Sequence, residues 1–275
     1  MGRTVSSLLS EVPDLADHEA RRLINAATGL RAAGLLGDPV VSSEAAARFR
    51  GFVERRRRGE PLQYIEGSVQ FGPIELLADR RALIPRPETE RLWEIASSLI
   101  ADVADPVIVD LCTGSGNLAL AHKHDRPEAG VIGVDASPLA IDLAQENADR
   151  LGLEVQFFVG DLFAPLPPGV RGTVDLLVSN PPYVAAGETL PAEVVDHEPP
   201  LALVSGPSGT EVLARIAAGL RTWLRPGGCV VCEIGETQGA ECLRLFAEFD
   251  PRIEPDLAGR PRFVIGRAPL VPIVH

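Results

Sequence analysis

Asn180-Pro181-Pro182-Tyr183 closes an apolar run, VDLLVS, and its residue types specify a chemistry. Asn180 offers a side-chain carbonyl oxygen. Pro181 offers a backbone carbonyl and has no N–H to donate. Two acceptors fixed in a rigid turn can hold an NH2 group by both of its hydrogens. Tyr183 supplies a ring that can stack on a planar amide or base. The expected purpose is to aim a weakly nucleophilic planar nitrogen at an electrophilic methyl group.

A second segment, Asp110-Leu111-Cys112-Thr113-Gly114-Ser115-Gly116, follows the apolar run VIVDL and opens a helix. Glycines there let a backbone approach a ligand closely, and a helix start offers unpaired N–H groups. Asp135 ends the next apolar run, 19 residues beyond Gly116. A carboxylate at that distance can accept both hydroxyls of a ribose. A nucleoside-containing cofactor follows, and the loop alone leaves NAD and S-adenosylmethionine both open. Asp161-Leu162, after the third run, is a further candidate, with the acid placed to accept an adenine amino group.

The elements that must position these residues alternate. VIVDL, VIGVD, VQFFVGD, VDLLVSN and CVVCEIG read as strands, with helices between them, one over Ser208 to Leu224. RIEPDL and RFVIGR form a closing pair. Such alternation means an α/β fold with a mostly parallel sheet covered on both faces, and ligands at the carboxyl ends of its strands. Residues 61–85 form a linker with a hairpin around Phe71-Gly72-Pro73. Residues 1–60 read as helices: Leu23, Ile24, Ala27 and Leu30 share a face, and a second helix starts at Ser42 or Ser43. It ends in Arg55-Arg56-Arg57-Arg58, which suits the helix dipole. This run reads as a solvated helix end, with a docking patch for an RNA-associated partner as the sharper alternative.

Composition narrows the function. The 275 residues carry 26 basic and 38 acidic side chains, a net charge of −12, which argues against direct nucleic-acid binding. No apolar run approaches the roughly 18 residues of a membrane span, and Met1 to Asp17 lacks a signal-peptide pattern. Cys112, Cys229, Cys232 and Cys242 make no disulfide framework. Cys229 and Cys232 are three apart on a strand, hence on opposite faces, so no metal site is expected. A cytoplasmic location is expected.

With these residues in hand, the chain resembles the HemK/PrmC-type glutamine N5-methyltransferases that modify peptide chain release factors. The resemblance rests on the linker GEPLQYI (59–65), LIPRPETE (83–90), VSNPPYV (178–184), HEPPLAL (197–203) and the tail from Asp256 to Arg267. It implies a class I S-adenosylmethionine-dependent methyltransferase fold over residues 86–275, behind a small N-terminal helical domain for substrate recognition. It implies S-adenosylmethionine bound along residues 112–116, with Asp135 on the ribose, and S-adenosylhomocysteine as product. It implies a class I release factor as protein substrate, its Gly-Gly-Gln glutamine clamped by Asn180 to Tyr183, with Arg86, Pro87, Glu88 and Glu198 shaping the entrance. Cys112 stands where the family's loop has its first glycine, and Leu162 where an aromatic is common. The runner-up is amino-methyl transfer to another protein glutamine or to a nucleic-acid base, adenine N6 or guanine N2. A non-catalytic scaffold is a third reading.

Overall fold

The computed structural model describes residues 3–30, 34 and 37–270. Strand β1 (Arg3–Thr4) leads into helices α1 (Val5–Leu9) and α2 (Asp17–Thr28). Strand β2 (Val40–Val41) pairs antiparallel with β1 and precedes α3 (Ser43–Arg57) and α4 (Leu62–Glu66). The Ser42 hydroxyl accepts from the Ala45 N–H at 3.1 Å and so starts α3. Gly29 ends α2 in the left-handed region at φ 71°. Leu30 therefore falls beyond the cap and is exposed, a correction to the stripe read from sequence; Leu23, Ile24 and Ala27 are buried. These helices close a core of their own around Leu8, Leu23, Phe49 and Val53, which Leu62 and Ile65 also join.

Three of the four arginines at the end of α3 are held in ion pairs, and Arg58 is exposed with no ion pair among the described residues. Arg55 pairs with Glu60 at 2.7 Å, and Arg57 with Asp14 at 2.7 Å. Arg56 reaches Glu19 at 2.7 Å and Glu193, far along the chain, at 3.0 Å. Glu19, Glu193 and Asp14 come from segments far from Arg56 and Arg57 in the chain, which the sequence order hides.

After the hairpin β3 (Ser68–Phe71) and β4 (Ile74–Leu77), helix α5 (Pro87–Leu99) leads into the main sheet. Its elements are β5 (Val107–Leu111), α6 (Asn117–Asp125), β6 (Gly130–Asp135), α7 (Pro138–Leu151), β7 (Gln156–Val159) and β8 (Val174–Ser179). After β9 (Val184–Ala185), α8 (Ala192–His197) and β10 (Val204–Gly206) come α9 (Glu211–Trp223), β11 (Leu224–Glu233), α10 (Gly239–Leu245), β12 (Arg252–Pro255) and β13 (Pro261–Arg267). The helix expected from Ser208 begins later, because the Ser208 N–H and hydroxyl both donate to the Glu211 carboxylate, at 2.8 and 2.9 Å, and hold that turn outside the helix.

The seven strands lie in the order β12-β13-β11-β8-β5-β6-β7, with β13 antiparallel to both its neighbours and the other pairings parallel. The chain steps outward from β5 to β7 and then returns to place β8 on the other side of β5. Between β5 and β8 lies the switch point at which such sheets hold ligands. Side chains alternate between two cores. Val109, Leu177, Val230 and Cys232 face α9 and α10. Ile108, Leu176, Cys229 and Val231 face α5, α6 and the hairpin. Cys229 and Cys232 thus point to opposite faces, both buried, as their spacing requires.

Candidate active site

A cavity of about 310 Å³ opens at the carboxyl ends of β5, β6, β7 and β8. That lies within the range of roughly 300–1,000 Å³ usual for small-molecule sites. Cys112, Thr113, Gly114 and Ser115 form one wall, Asp135 a second, and Asp161 and Leu162 a third, with Asn180 and Pro182 facing them. The structure therefore brings together residues from four separate strand ends that the sequence proposed singly. Ala82, Leu83 and Pro85 complete one rim, and Leu201, Val204 and Arg215 another. Leu83, Pro85 and Leu201 lie in segments that carry the family resemblance, whereas Ala82, Val204 and Arg215 were not singled out from sequence.

The loop after β5 is held from behind. Asp110 is fully buried and lies outside the cavity lining, and its Oδ1 has no hydrogen-bond partner among the described residues. Its Oδ2 accepts from the Thr113 hydroxyl at 2.6 Å and from the Ala119 N–H at 3.1 Å, which fixes the turn and the start of α6. Burial pushes its carboxyl up to about 7, against those two hydrogen bonds. Gly116 also stays out of the lining. It caps α6 at φ 82°, and a Cβ there would stand 3.0 Å from Leu120 and 3.2 Å from Ala144. Cys112 occupies the left-handed region at φ 60°. That is the conformation a glycine takes freely, and here a side chain is carried at the same backbone position.

Asp135 accepts from the Gly114 N–H and the Ser137 N–H, both at 2.9 Å. Burial raises its pKa, and those amides oppose the rise. Asp161 is exposed and paired with Arg215. The buried Ser115 hydroxyl has no protein partner among the described residues, although Ser115 lines the cavity. A glycine loop at a helix start, a half-buried carboxylate on the next strand and an orphan hydroxyl fit a cofactor with a ribose and a charged amino-acid end.

The Asn180 side chain points its nitrogen inward. Nδ2 donates to the Thr89 hydroxyl at 3.1 Å; that hydroxyl donates to Glu233 Oε2 at 3.0 Å. Among the described residues, neither Asn180 Oδ1 nor the Pro181 carbonyl receives a hydrogen bond. Tyr183 does not line the cavity. Its hydroxyl donates to Glu233 Oε1 at 3.1 Å, and its carbonyl accepts from Gln238 Nε2 at 2.8 Å. Thr89, Glu233 and Gln238 were missed from sequence. Glu233 had a signal, a carboxylate ending an apolar strand as Asp110 and Asp135 do.

The entrance residues form a second group. Arg86 pairs with Glu198, whose side chain is 1% exposed, and Glu198 Oε2 also accepts from the Ile84 N–H at 3.2 Å. Pro87 starts α5, and Glu88 in its first turn lies 3.8 Å from Arg260. None of the four lines the cavity. Among the described residues, no helix is long and apolar enough to cross a membrane, and no group of three or more His, Cys, Asp or Glu is placed to hold a metal ion.

Comparison with known proteins adds to this geometry. The methyltransferase small domain family matches residues 94–197, and the PrmC N-terminal domain family matches residues 3–67. The chain is 44% identical over 228 residues to the release factor glutamine methyltransferase of Mycolicibacterium smegmatis, covering 80% of this chain and 79% of that one. It is 41% identical over 256 residues to that of Deinococcus radiodurans, covering 90% of each. Among solved structures, a methyltransferase from Pyrococcus furiosus superposes with TM-score 0.54 at 15% identity, over 83% of this chain and all of that one. The T. thermophilus 16S rRNA N2 G1207 methyltransferase gives TM-score 0.51 at 18% identity, over 73% of this chain and 49% of that one. These two likenesses establish the shared α/β methyltransferase fold.

Proposed function

Because the chain belongs to the release factor glutamine methyltransferase family, we propose that it methylates the side-chain amide nitrogen, N5, of the glutamine in the Gly-Gly-Gln motif of class I peptide chain release factors. The observation that supports this reading is Asn180, which lines a cavity suited to the methyl donor, turns its nitrogen to Thr89, and leaves Oδ1 without a hydrogen bond among the described residues. When bound, S-adenosylmethionine supplies an electrophilic methyl group on a sulfonium and leaves as S-adenosylhomocysteine.

The residues of the chain divide the work. Cys112 to Ser115 line the donor's cavity, Asp135 accepts from the ribose, and Asp161 with Leu162 flanks the base. Asn180 and Pro181 accept the two amide hydrogens. Holding both hydrogens turns the amide away from planarity and points the nitrogen lone pair outward to the methyl. Positioning and fixed dipoles account for the rate gain. No strong base is needed beforehand, since the nitrogen becomes acidic only as the methyl arrives, and one of its protons is then lost to water. Pro182 and Tyr183 form the wall behind the amide.

Residues 1–60 serve as a recognition domain, joined through 61–85 to the catalytic domain of 86–275. Arg86, Pro87, Glu88 and Glu198 shape the entrance, and the enzyme works in the cytoplasm, where release factors act. The net charge of −12 favours a protein over a nucleic-acid substrate. The test is transfer of labelled methyl to a purified release factor beside a variant whose Gly-Gly-Gln glutamine is replaced. Label that disappears with the glutamine supports the reading. Label that persists, or no transfer at all despite donor binding, refutes it.

A further inference from the structure

We propose that Thr89 and Glu233 are positioning residues for the methyl acceptor, forming a hydrogen-bond relay that fixes which way round the Asn180 amide stands. The inference rests on the reading of Asn180 as an acceptor and deepens it.

Glu233 ends β11 and is 1% exposed. Its two oxygens accept from the Thr89 and Tyr183 hydroxyls. An ionised carboxylate has no proton to give. The single hydroxyl hydrogen of Thr89 is therefore committed to Glu233, and the Thr89 oxygen can only accept from its third neighbour. That neighbour is Asn180, at 3.1 Å. The amide must turn its NH2 inward and its oxygen to the cavity. Asparagine alone does not specify this, because its two ends are nearly equal in shape.

Protonation of Glu233 reverses the logic. The acid could then donate to Thr89, whose hydrogen would swing towards Asn180. The amide would be free to flip and present NH2 to the substrate NH2, two donors face to face. Burial pushes the Glu233 carboxyl up to about 6, while the bonds from Thr89 and Tyr183 and the charge of Arg262 pull it down, and Glu88 pushes it up. These are the charged and titratable groups around it: Glu88 from α5, Tyr183 from the loop after β8, and Arg262 from β13. Burial and the Glu233 charge hold Tyr183 well above its ordinary value, so it remains a donor throughout.

The full chain is compared as wild type, Thr89→Val, Thr89→Ser and Glu233→Gln, with two readouts. The first is the Asn180 side-chain amide resonance, assigned with Asn180→Ala and followed by NMR without substrate from about pH 5 to 8. The second is single-turnover methyl transfer to a full-length release factor at saturating S-adenosylmethionine. The expected wild-type resonance titrates with an inflection near pH 6, and Glu233→Gln abolishes it. Thr89→Val lowers transfer about 100-fold with donor affinity held within about twofold, and Thr89→Ser restores most of it. A pH-independent Asn180 resonance in the wild type overturns the relay, as does Thr89→Val within about threefold of the wild-type rate. Absence of wild-type transfer refutes the release-factor reading instead, and the NMR titration still decides the relay.

Discussion

Arg86→Ala removes the charged partner of a carboxylate that water barely reaches. Glu198 is 1% exposed at its side chain and keeps only the Ile84 N–H, at 3.2 Å, once the guanidinium is gone. Breaking a fully buried pair costs about 3–5 kcal/mol. Arg86 is 36% exposed, so solvent already screens the pair, and about 2 kcal/mol is the reasoned figure here. The cost should fall on one segment. Residues 186–199 carry few other side-chain ties to the body, Arg56 to Glu193 at 3.0 Å and Arg80 to His197 at 3.1 Å, besides the Ala186 N–H to the Gly206 carbonyl at 2.7 Å. Local opening is therefore expected before global unfolding, about 30-fold more frequent for about 2 kcal/mol. Amide hydrogen exchange read by mass spectrometry tests this. Exchange over 186–199 should accelerate by that factor while the loop after β5 stays unchanged. Arg86→Ala with Glu198→Ala should recover part of the loss, because the orphaned charge is gone. Unchanged exchange in 186–199, or equal acceleration across the whole sheet, would refute the assignment of Arg86–Glu198 as a tether.

Asn180→Ala should lower single-turnover transfer by about 100- to 1,000-fold, the usual effect of removing one fixed dipole from a reacting group; an equal loss of donor affinity would contradict its role as acceptor clamp. Asp135→Asn should weaken S-adenosylmethionine binding measured by calorimetry. In the wild type, affinity should fall as pH drops through the raised pKa of Asp135, because protonation removes the acceptor, and Asp135→Asn should flatten that dependence. Gly209 sits at φ 79°, and a Cβ there would stand 2.5 Å from the Tyr183 carbonyl. Gly209→Ala should therefore displace the Asn180–Tyr183 loop and reduce transfer more than donor binding, and a variant that transfers at the wild-type rate would show that the loop yields.

The strand ends were legible in the sequence for a local reason. A parallel strand buried on both faces is a short apolar run, and a carboxylate or glycine loop at its end stands out against it. Asp110, Asp135, the loop from Cys112 to Gly116 and Asn180 were all found this way. The family resemblance shares VSNPPYV with this set and otherwise rests on other segments, LIPRPETE among them. The roles within that set were less legible. Asp110 and Asp135 end neighbouring strands alike, yet one is sealed behind the loop and the other lines the cavity, because register and the turn of α6 decide which way each points.

What the sequence by itself determined is the kind of fold and the location of its chemistry, since both follow from periodicity and from residue types at strand ends. Tertiary structure alone decided the partnerships. Thr89 meets Glu233 across 144 positions, Arg86 meets Glu198 across 112, and Arg56 meets Glu193 across 137. Thr89 reads locally as one more residue in a helix's first turn, and the arginines of α3 as a helix end. A hydrogen bond between distant side chains leaves no period in the chain, so the orientation of the Asn180 amide, on which the proposed chemistry depends, exists only once β8, β11 and α5 have packed together.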